Sequence, residues 1–132
     1  NDPLSTPEKD PGRYLEIWNL VFMQYDLQPD GSVELLPAPC VDTGAGLERM
    51  TAVMGGFSSN YDTDLFQPII QALASGAGVR YGKDPDKDVS MRVISDHLRA
   101  ITMLSAEAVI PGPEKRGAVL RRIMRRALRH GG

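Results

Sequence analysis

The stretch VDTGAGLERM, residues 41–50, carries the strongest local pattern in this sequence. Gly44 and Gly46 predict a tight backbone passage that can approach a ligand closely, because glycine has no side chain. Residues 47–53 then place apolar side chains at helical spacing, and Gly55-Gly56 predicts the end of a short helix. Such a helix would point its N–H groups and positive dipole end at the glycine passage, where an anion is stabilised.

Asp42 and Arg49 bring opposite charges to the two sides of this passage. A planar guanidinium suits a phosphate or the face of a purine ring, and a carboxylate suits an ammonium group. The pair therefore fits a zwitterion together with a nucleotide. The pattern lacks the third glycine of a dinucleotide-binding fingerprint and the Gly-Lys-Ser/Thr of a P-loop. On spacing alone, a turn into a surface helix with a salt bridge is the favoured interpretation.

The residues before this stretch predict a β-hairpin. Residues 1–13 have no period and indicate a loop or arm, whereas 14–25 are rich in aromatic and β-branched residues and predict a buried or half-buried strand. Pro29-Asp30-Gly31 has turn chemistry. Residues 33–36 predict the returning strand, which Pro37 and Pro39 should stop.

The residues after the stretch predict helices. We expect a helix at 63–74, capped by Asp62 or Thr63 and containing Pro68, then a loop at 76–88 and a long helix at 90–108. Residues 116–130 give the clearest amphipathic helix. Its apolar face holds Leu120, Ile123, Met124, Ala127 and Leu128. The predicted fold class is α+β, with strands first and helices after.

Bulk composition limits the class of protein. The chain has 132 residues, 42% hydrophobic and 24% charged, which suits one globular domain. Cys40 is the single cysteine, so an internal disulfide or a cysteine-based zinc site is excluded. No apolar run approaches the roughly 20 residues of a membrane span, and the first residues lack a signal-peptide pattern. We expect a cytoplasmic protein with no membrane partner.

Positive charge is concentrated at the C-terminal end. Residues 112–132 contain seven Lys and Arg and one Glu, whereas 1–111 contain eight Lys and Arg and sixteen Asp and Glu. The basic face of the last predicted helix holds Arg121, Arg122, Arg125, Arg126 and Arg129. A solvated basic face is an ordinary explanation. Like charges four residues apart repel each other, however, and RNA phosphate is the natural partner for such a face.

Several motifs together resemble the alanyl-tRNA synthetases. These are EIWNLVFMQ (16–24), the hairpin, LPAPCVDTGAGLERM (36–50), SNYDTDLF (59–66), RVISDHLRA (92–100) and RGAVLRRIMRRALRHG (116–131). Their order and spacing follow that family nearly throughout the chain from Arg13. The resemblance makes residues 41–50 motif 3 of the class II synthetase fold, with Ala45 where Met is usual. It implies part of an antiparallel class II sheet at 1–75 and the start of a helical tRNA-recognition region at 76–132.

The resemblance also implies roles for individual residues. Arg49 resembles the catalytic arginine that clamps ATP, and Gly46 would let the backbone pass the nucleotide. Asp42 is similar to the carboxylate that takes the amino group of alanine, Asn19 to the asparagine that contacts it, and Gly44 to the small residue that leaves room. The implied partners are alanine, ATP with Mg²⁺, and the tRNA(Ala) acceptor stem, the last bound by the five arginines.

Four further sets of residues have ordinary structural explanations. If Asn19 faces the pocket, Trp18 faces the other side of the strand and should pack in the core. His97 is expected to be a buried, hydrogen-bonded structural histidine. Asp62 and Asp64 suggest a helix cap, and the aspartates at 84–88 a solvated loop, so no metal site is predicted from either.

The chain departs from the family's pattern near Pro111. The family has Ser-Asn next, and that asparagine helps to recognise the acceptor-stem wobble pair. Here Gly112 and Pro113 take those positions, so the base contact is lost or is made from elsewhere. The family's aspartate-glycine before the proline is replaced around Glu107-Ala108.

Parts of the family's architecture lie outside these 132 residues: motifs 1 and 2, the editing domain and the C-terminal domain. Zinc is expected only in that editing domain. We therefore expect a fragment of an alanine-tRNA ligase that needs the rest of the synthetase chain and does not activate alanine by itself. The alternatives are a non-catalytic RNA-binding module derived from the same family, or a helical scaffold that binds an acidic protein surface.

Overall fold

The chain forms two compact units in a computed structural model that describes residues 6–10 and 13–132. The first unit ends at Gly56 and the second spans Phe57–Gly132. Strands come first and helices after, which confirms the predicted α+β class. The loop predicted at 1–13 lies partly outside the described residues. The predicted boundary between part of a class II sheet at 1–75 and a tRNA-recognition region at 76–132 concerns function, and it stays a prediction.

The first unit contains an antiparallel ribbon of two strands, β1 (Trp18–Leu27) and β2 (Val33–Ala45). The predicted turn connects them. Gly31 has a φ of 85°, which glycine adopts without strain. Asp30 Oδ1 accepts hydrogen bonds from the Ser32 hydroxyl at 2.6 Å and the Ser32 N–H at 2.9 Å. These two bonds lower the pKa of Asp30.

Three predictions about this ribbon are wrong. β1 is exposed along its whole length rather than buried, because the sheet in the described part of the chain has only two strands. For the same reason Trp18 is 56% exposed and not in a core; its indole N–H donates to the Thr43 hydroxyl. Finally, β2 continues through Pro37 and Pro39.

A bulge explains how β2 accommodates the prolines. Tyr25 pairs with Leu35, and Met23 pairs with Cys40, so four residues of β2 lie opposite a single residue of β1. Residues in a bulge are released from the ladder hydrogen bonds, and proline, which has no N–H, is tolerated there.

Helix α1 (Leu47–Met54) follows β2 directly and ends at Gly55, as predicted. The second unit begins with a 3₁₀ turn (Asn60–Asp62) and helix α2 (Gln67–Gly76). α2 starts four residues later than predicted, because Pro68 lies in its first turn, where no N–H is needed.

The long helix α3 (Pro85–Ala106) begins five residues earlier than predicted. Asp84 caps it by accepting from the N–H groups of Asp86 and Lys87. Asp88 is buried and accepts from the Gly82 N–H at 2.8 Å. The interpretation of 84–88 as a solvated loop is therefore wrong, because the carboxylates at 84 and 88 bind backbone N–H groups.

Helix α4 (Lys115–Gly131) packs against α3. Ser90 near the start of α3 lies 3.3 Å from the ring of His130 near the end of α4, so the two helices run antiparallel. Leu120 and Ala127 of the predicted apolar face are buried, whereas Leu128 is 74% exposed. α2, α3 and α4 share a core whose most buried members are Thr63, Phe66, Ile70, Ala74, Met91, Ser95 and Leu120.

Aromatic and arginine side chains line the junction of α3 with the preceding loops. Arg92 donates from Nε to the Tyr81 hydroxyl at 2.6 Å, and Arg99 lies over the ring of Phe66, 4.7 Å from its centroid. His97, with a 12% exposed side chain, lies 2.9 Å from a carboxylate oxygen of Asp96. It is hydrogen-bonded, as predicted, but half-buried rather than buried.

The turn between α3 and α4 depends on two unusual backbone positions. Ala108 has a φ of 57°, and the bonds Val109 N–H to Leu104 O and Ala108 N–H to Ser105 O form a Schellman motif. The backbone of this turn passes so close to Gly117 that a Cβ on Gly117 would lie 2.6 Å from the Ile110 carbonyl oxygen.

None of the helices in the described residues is long and apolar enough to cross a membrane.

Candidate functional site

Three predicted ligand-binding residues share one face of the β1–β2 ribbon. Opposed residues of an antiparallel pair lie on the same face, and successive residues alternate between faces. Asn19 is opposite Gly44, and Val21 is opposite Asp42. The register therefore brings Asn19, Asp42 and Gly44 together, with Thr43 on the other face.

The bulge in β2 creates this arrangement. If the register of Tyr25 with Leu35 continued without interruption, Asn19 would lie opposite Val41. The shift between Tyr25 and Met23 instead places Gly44 there. An odd shift of register exchanges the two faces of a strand. The segment containing the two prolines thus decides which side chains of residues 41–45 lie on the same face as Asn19.

Gly44 is close to Asn19. A Cβ built on Gly44 would lie 3.2 Å from the Asn19 amide oxygen, so a side chain at position 44 would displace that amide. Gly44 belongs to a strand and not to the sharp passage that the sequence predicts. At this position the absence of a side chain, and not backbone freedom, leaves the Asn19 amide where it is.

Asp42 is exposed, and a backbone N–H of its own strand orients its carboxylate. Its Oδ1 accepts a hydrogen bond from the backbone N–H of Thr43 at 2.8 Å. A carboxylate offers about four acceptor positions, so this bond leaves capacity for an ammonium group. The hydrogen bond also restricts the rotation of the side chain, which keeps the negative charge at a fixed place beside β1.

Arg49 in α1 is directed back to the segment before β1. Its Nη1 donates to the Glu16 carbonyl oxygen at 2.6 Å. Its aliphatic part passes Gly46, where a Cβ would lie 3.6 Å from Arg49 Cδ. Gly46 has ordinary angles, φ −79° and ψ 117°, and α1 starts without a side-chain cap. The first N–H groups of α1 are thus not used by a capping side chain.

Glu16 is the residue that the sequence analysis did not identify. Its carbonyl oxygen holds Arg49, and its carboxylate accepts from the Asn19 amide at 3.5 Å. Glu16 therefore connects the arginine predicted to bind ATP with the asparagine predicted to bind alanine. A sequence signal existed, since Glu16 opens the EIWNLVFMQ motif, but its contact with α1 depends on the fold.

The five arginines of α4 that are predicted to bind tRNA are all exposed, and they divide into groups. Arg121, Arg122 and Arg125 line an open depression of ≈ 580 Å³. Arg129 lines a different hollow, of ≈ 890 Å³, beside α2 and α3. Arg126 lines neither. The depression also contains Lys115, which the predicted tRNA-binding set did not include.

Metal ligands are not clustered in the part of the chain that the structure describes. Residues 6–10 and 13–132 contain no group of three or more His, Cys, Asp or Glu side chains that could hold a metal ion.

Comparison with known proteins places the chain in a family. The family model described as tRNA synthetases class II (A) matches residues 1–132. The chain belongs to this class II synthetase family. The two-stranded antiparallel ribbon followed by helices agrees with a fragment of the class II synthetase fold.

Individual relatives agree with this assignment. The chain is 55% identical over 129 residues to an alanine–tRNA ligase of Acidithiobacillus ferridurans, covering 98% of this chain and 15% of the relative. It is 57% identical over 126 residues to that of Thermotoga maritima, covering 96% and 15%. For the alanine–tRNA ligase of an Anaeromyxobacter species the identity is 62% over 123 residues, covering 92% and 14%.

The chain thus spans about 15% of the length of the synthetases that it matches. The predicted resemblance to a synthetase fragment is confirmed. The roles of the individual site residues stay predictions.

Proposed function

We propose that this chain is the part of an alanine–tRNA ligase that binds the amino group of alanine and clamps ATP. One observation carries the proposal: the strand register places Asn19, Asp42 and Gly44 on one face. Glu16 then links Asn19 to Arg49. An anion for the amino group and a cation for the nucleotide are held by neighbouring elements of one compact unit.

The proposed reaction begins with alanine and ATP. A carboxylate oxygen of alanine attacks the α-phosphorus, the bond to pyrophosphate breaks, and alanyl adenylate forms. In the second step a hydroxyl of the terminal tRNA ribose attacks the carbonyl carbon, and AMP leaves. Because both steps are displacements between bound groups, positioning and charge stabilisation supply most of the catalysis.

We assign the positioning of alanine, ATP and tRNA to residues of this chain. Asp42 would hold the ammonium group of alanine, and the Asn19 amide would fix its orientation beside Gly44. Arg49 would stack on adenine and neutralise phosphate charge, and Gly46 would let the backbone pass close to the nucleotide. The exposed arginines of α4 would contact the acceptor stem, and we propose that residues 76–132 begin that tRNA-recognition region.

Magnesium is the ion that accompanies ATP in such reactions, where it neutralises phosphate charge. The described residues do not form a ligand cluster for it. Zinc, for its part, would belong to the editing domain of the complete synthetase. We assign no step of this chain to either ion.

Pyrophosphate exchange by the full-length synthetase carrying these residues tests the proposal. Asp42→Asn should raise the KM for alanine by about tenfold to a hundredfold, because a charge-assisted hydrogen bond contributes roughly 1.5–3 kcal/mol. Arg49→Lys should raise the KM for ATP instead, because lysine lacks the planar fork.

Asp26→Asn is the matched control. It removes the same charge from the same ribbon, but at the end paired with Glu34, and it should leave both KM values near the wild-type values. A wild-type KM for alanine in the Asp42→Asn enzyme would refute the assigned role.

A further inference from the structure

We propose that Lys115 and Ala118 complete a binding site for RNA backbone phosphates at the start of α4. The inference rests on the proposed function, in which α4 contacts tRNA. It adds a defined position on the helix, and it adds two residues that are not part of the arginine pattern.

All the charged residues that line the depression at this position are positive. Four of its seven lining residues are cations, and none is acidic: Gly112, Pro113, Lys115, Ala118, Arg121, Arg122 and Arg125. Arg121 and Arg125 lie four residues apart, a spacing at which like charges destabilise a helix. An anion in the depression would offset that repulsion for all four cations together.

Ala118 is the small residue among the helical residues that line the depression. Lys115, Ala118, Arg122 and Arg125 follow one another at intervals of three, four and three, so they lie along one face of α4. Ala118 has only a methyl group, and along this face it stands between Lys115 and Arg122. A larger residue at position 118 would fill the space without changing any charge.

The backbone holds Lys115 in place. Its φ is 48°, a conformation that costs a side-chain-bearing residue energy. The adjoining turn lies close against the start of α4, since a Cβ added to Gly117 would lie 2.9 Å from the Gly112 nitrogen. The position of the lysine relative to the arginines is therefore set by the fold.

The chemistry of the lining groups favours phosphate over a base edge. Pro113 has no N–H and no side-chain amide, and the remaining polar groups are cations. A lysine ammonium has donors and no acceptor. Contacts of this kind fix the position of RNA without reading its sequence, so the site should bind strands of different sequence equally well.

The test measures binding of the 132-residue chain to an acceptor-stem hairpin over a range of salt concentrations. Lys115→Gln should weaken binding and lower the slope of log affinity against log salt by about 1. Ala118→Met, which keeps every charge, should also weaken binding. Arg129→Gln is the matched control, because it removes one charge from the same helix outside the depression, and it should have the smaller effect.

The outcomes separate the inference from the proposed function. If the wild-type chain binds the hairpin no better than it binds polyglutamate, the assignment of α4 to RNA fails. If it binds RNA but Lys115→Gln and Arg129→Gln weaken binding equally, or Ala118→Met has no effect on binding, only the phosphate site fails. A Lys115→Gln defect limited to one of two hairpins differing by a single base pair would show base reading and overturn the phosphate assignment. Circular dichroism checks that each variant retains its helices.

Discussion

At the scale of single residues, Gly44 shows most directly how the absence of a side chain shapes the site. Gly44→Ala would place a Cβ 3.2 Å from the Asn19 amide oxygen, and the amide would have to move. We expect the full-length synthetase to show a raised KM for alanine and a nearly unchanged KM for ATP. Gly46→Ala is the matched variant, since its Cβ finds ordinary contacts of 3.6–3.7 Å along Arg49. Equal effects of the two substitutions on alanine would contradict this account.

Ala108 occupies a backbone conformation that suits glycine better. Its φ is 57°, just after the end of α3. The family's aspartate-glycine is replaced around Glu107-Ala108. Ala108→Gly should stabilise the chain by about 0.5–1 kcal/mol, after the entropy that glycine adds to the unfolded chain is subtracted. Urea unfolding followed by circular dichroism measures the change. Ala106→Gly, two residues earlier and still helical, should destabilise it.

Gly117 is constrained by space and not by its backbone angles. The substitution Gly117→Ala would push a methyl group against the Ile110 carbonyl and the Gly112 nitrogen. Since both are backbone atoms, we expect a loss of about 1–3 kcal/mol in the free energy of unfolding. Gly76, the last residue of α2, has open space at its Cβ. Gly76→Ala should stabilise the chain slightly, and thermal melts of both variants reveal the opposite signs.

At the scale of elements, the sequence predicts what depends on local chemistry. α4 is correct to within one residue at each end, because its apolar period and its terminal glycines agree. The hairpin turn is also correct. The predicted start of α2 is wrong because proline is tolerated in the first turn of a helix, so the helix begins just before Pro68. α3 begins earlier than predicted because Asp84 and Pro85 form its N-cap and first turn, although their composition is typical of a loop.

The site was predictable in its residues but not in its geometry. Asp42 and Arg49 stand out from their charges beside two glycines. That Asn19 lies opposite Gly44 depends on the size of the bulge at the two prolines, and no local rule gives that number. The contact of Glu16 with Arg49 depends on where α1 lies beside the segment before β1. Such long-range geometry is decided by packing.

Tyr61 gives the helical unit a dependence on alkaline pH. Burial raises the pKa of its hydroxyl, and the negative charge of Asp96 raises it further. The folded state therefore holds this proton more tightly than the unfolded state, whose pKa is about 10. The stabilisation is fully present below pH 10 and is lost as the pH rises through the folded pKa.

We expect Tyr61→Phe to reduce the loss of stability above about pH 10. Urea unfolding at a series of pH values, followed by helical circular dichroism, measures this. Tyr25→Phe is the control, because Tyr25 is 60% exposed on β1. A wild-type pH profile in Tyr61→Phe would show that other groups control the alkaline transition.

At the scale of the whole molecule, the ribbon is apolar on both faces. Val21 and Met23 lie on the face of Asp42, and Leu20 and Phe22 lie on the other. All four are exposed, Phe22 by 68%. A two-stranded ribbon is marginally stable in water, and apolar residues on both faces are typical of strands covered on both sides. The exposed ribbon therefore suits a larger sheet with layers above and below.

This exposure leads to a prediction for the 132-residue polypeptide alone. We expect pyrophosphate exchange with alanine and ATP at background level, because the ribbon that carries Asn19 and Asp42 has no covering layer among the described residues. The full-length synthetase assayed in parallel is the positive control. Exchange by the polypeptide well above a blank without protein would refute the expectation.

The α3–α4 hairpin is fastened at both of its ends. Near the turn, backbone atoms lie where a side chain of Gly117 would be; at the open end, Ser90 meets His130. Contacts at two separated points oppose sliding and rotation of one helix against the other. Because α3 and α4 also pack along their length, we expect them to move as one body, so a partner that displaces α3 should displace the arginines of α4 with it.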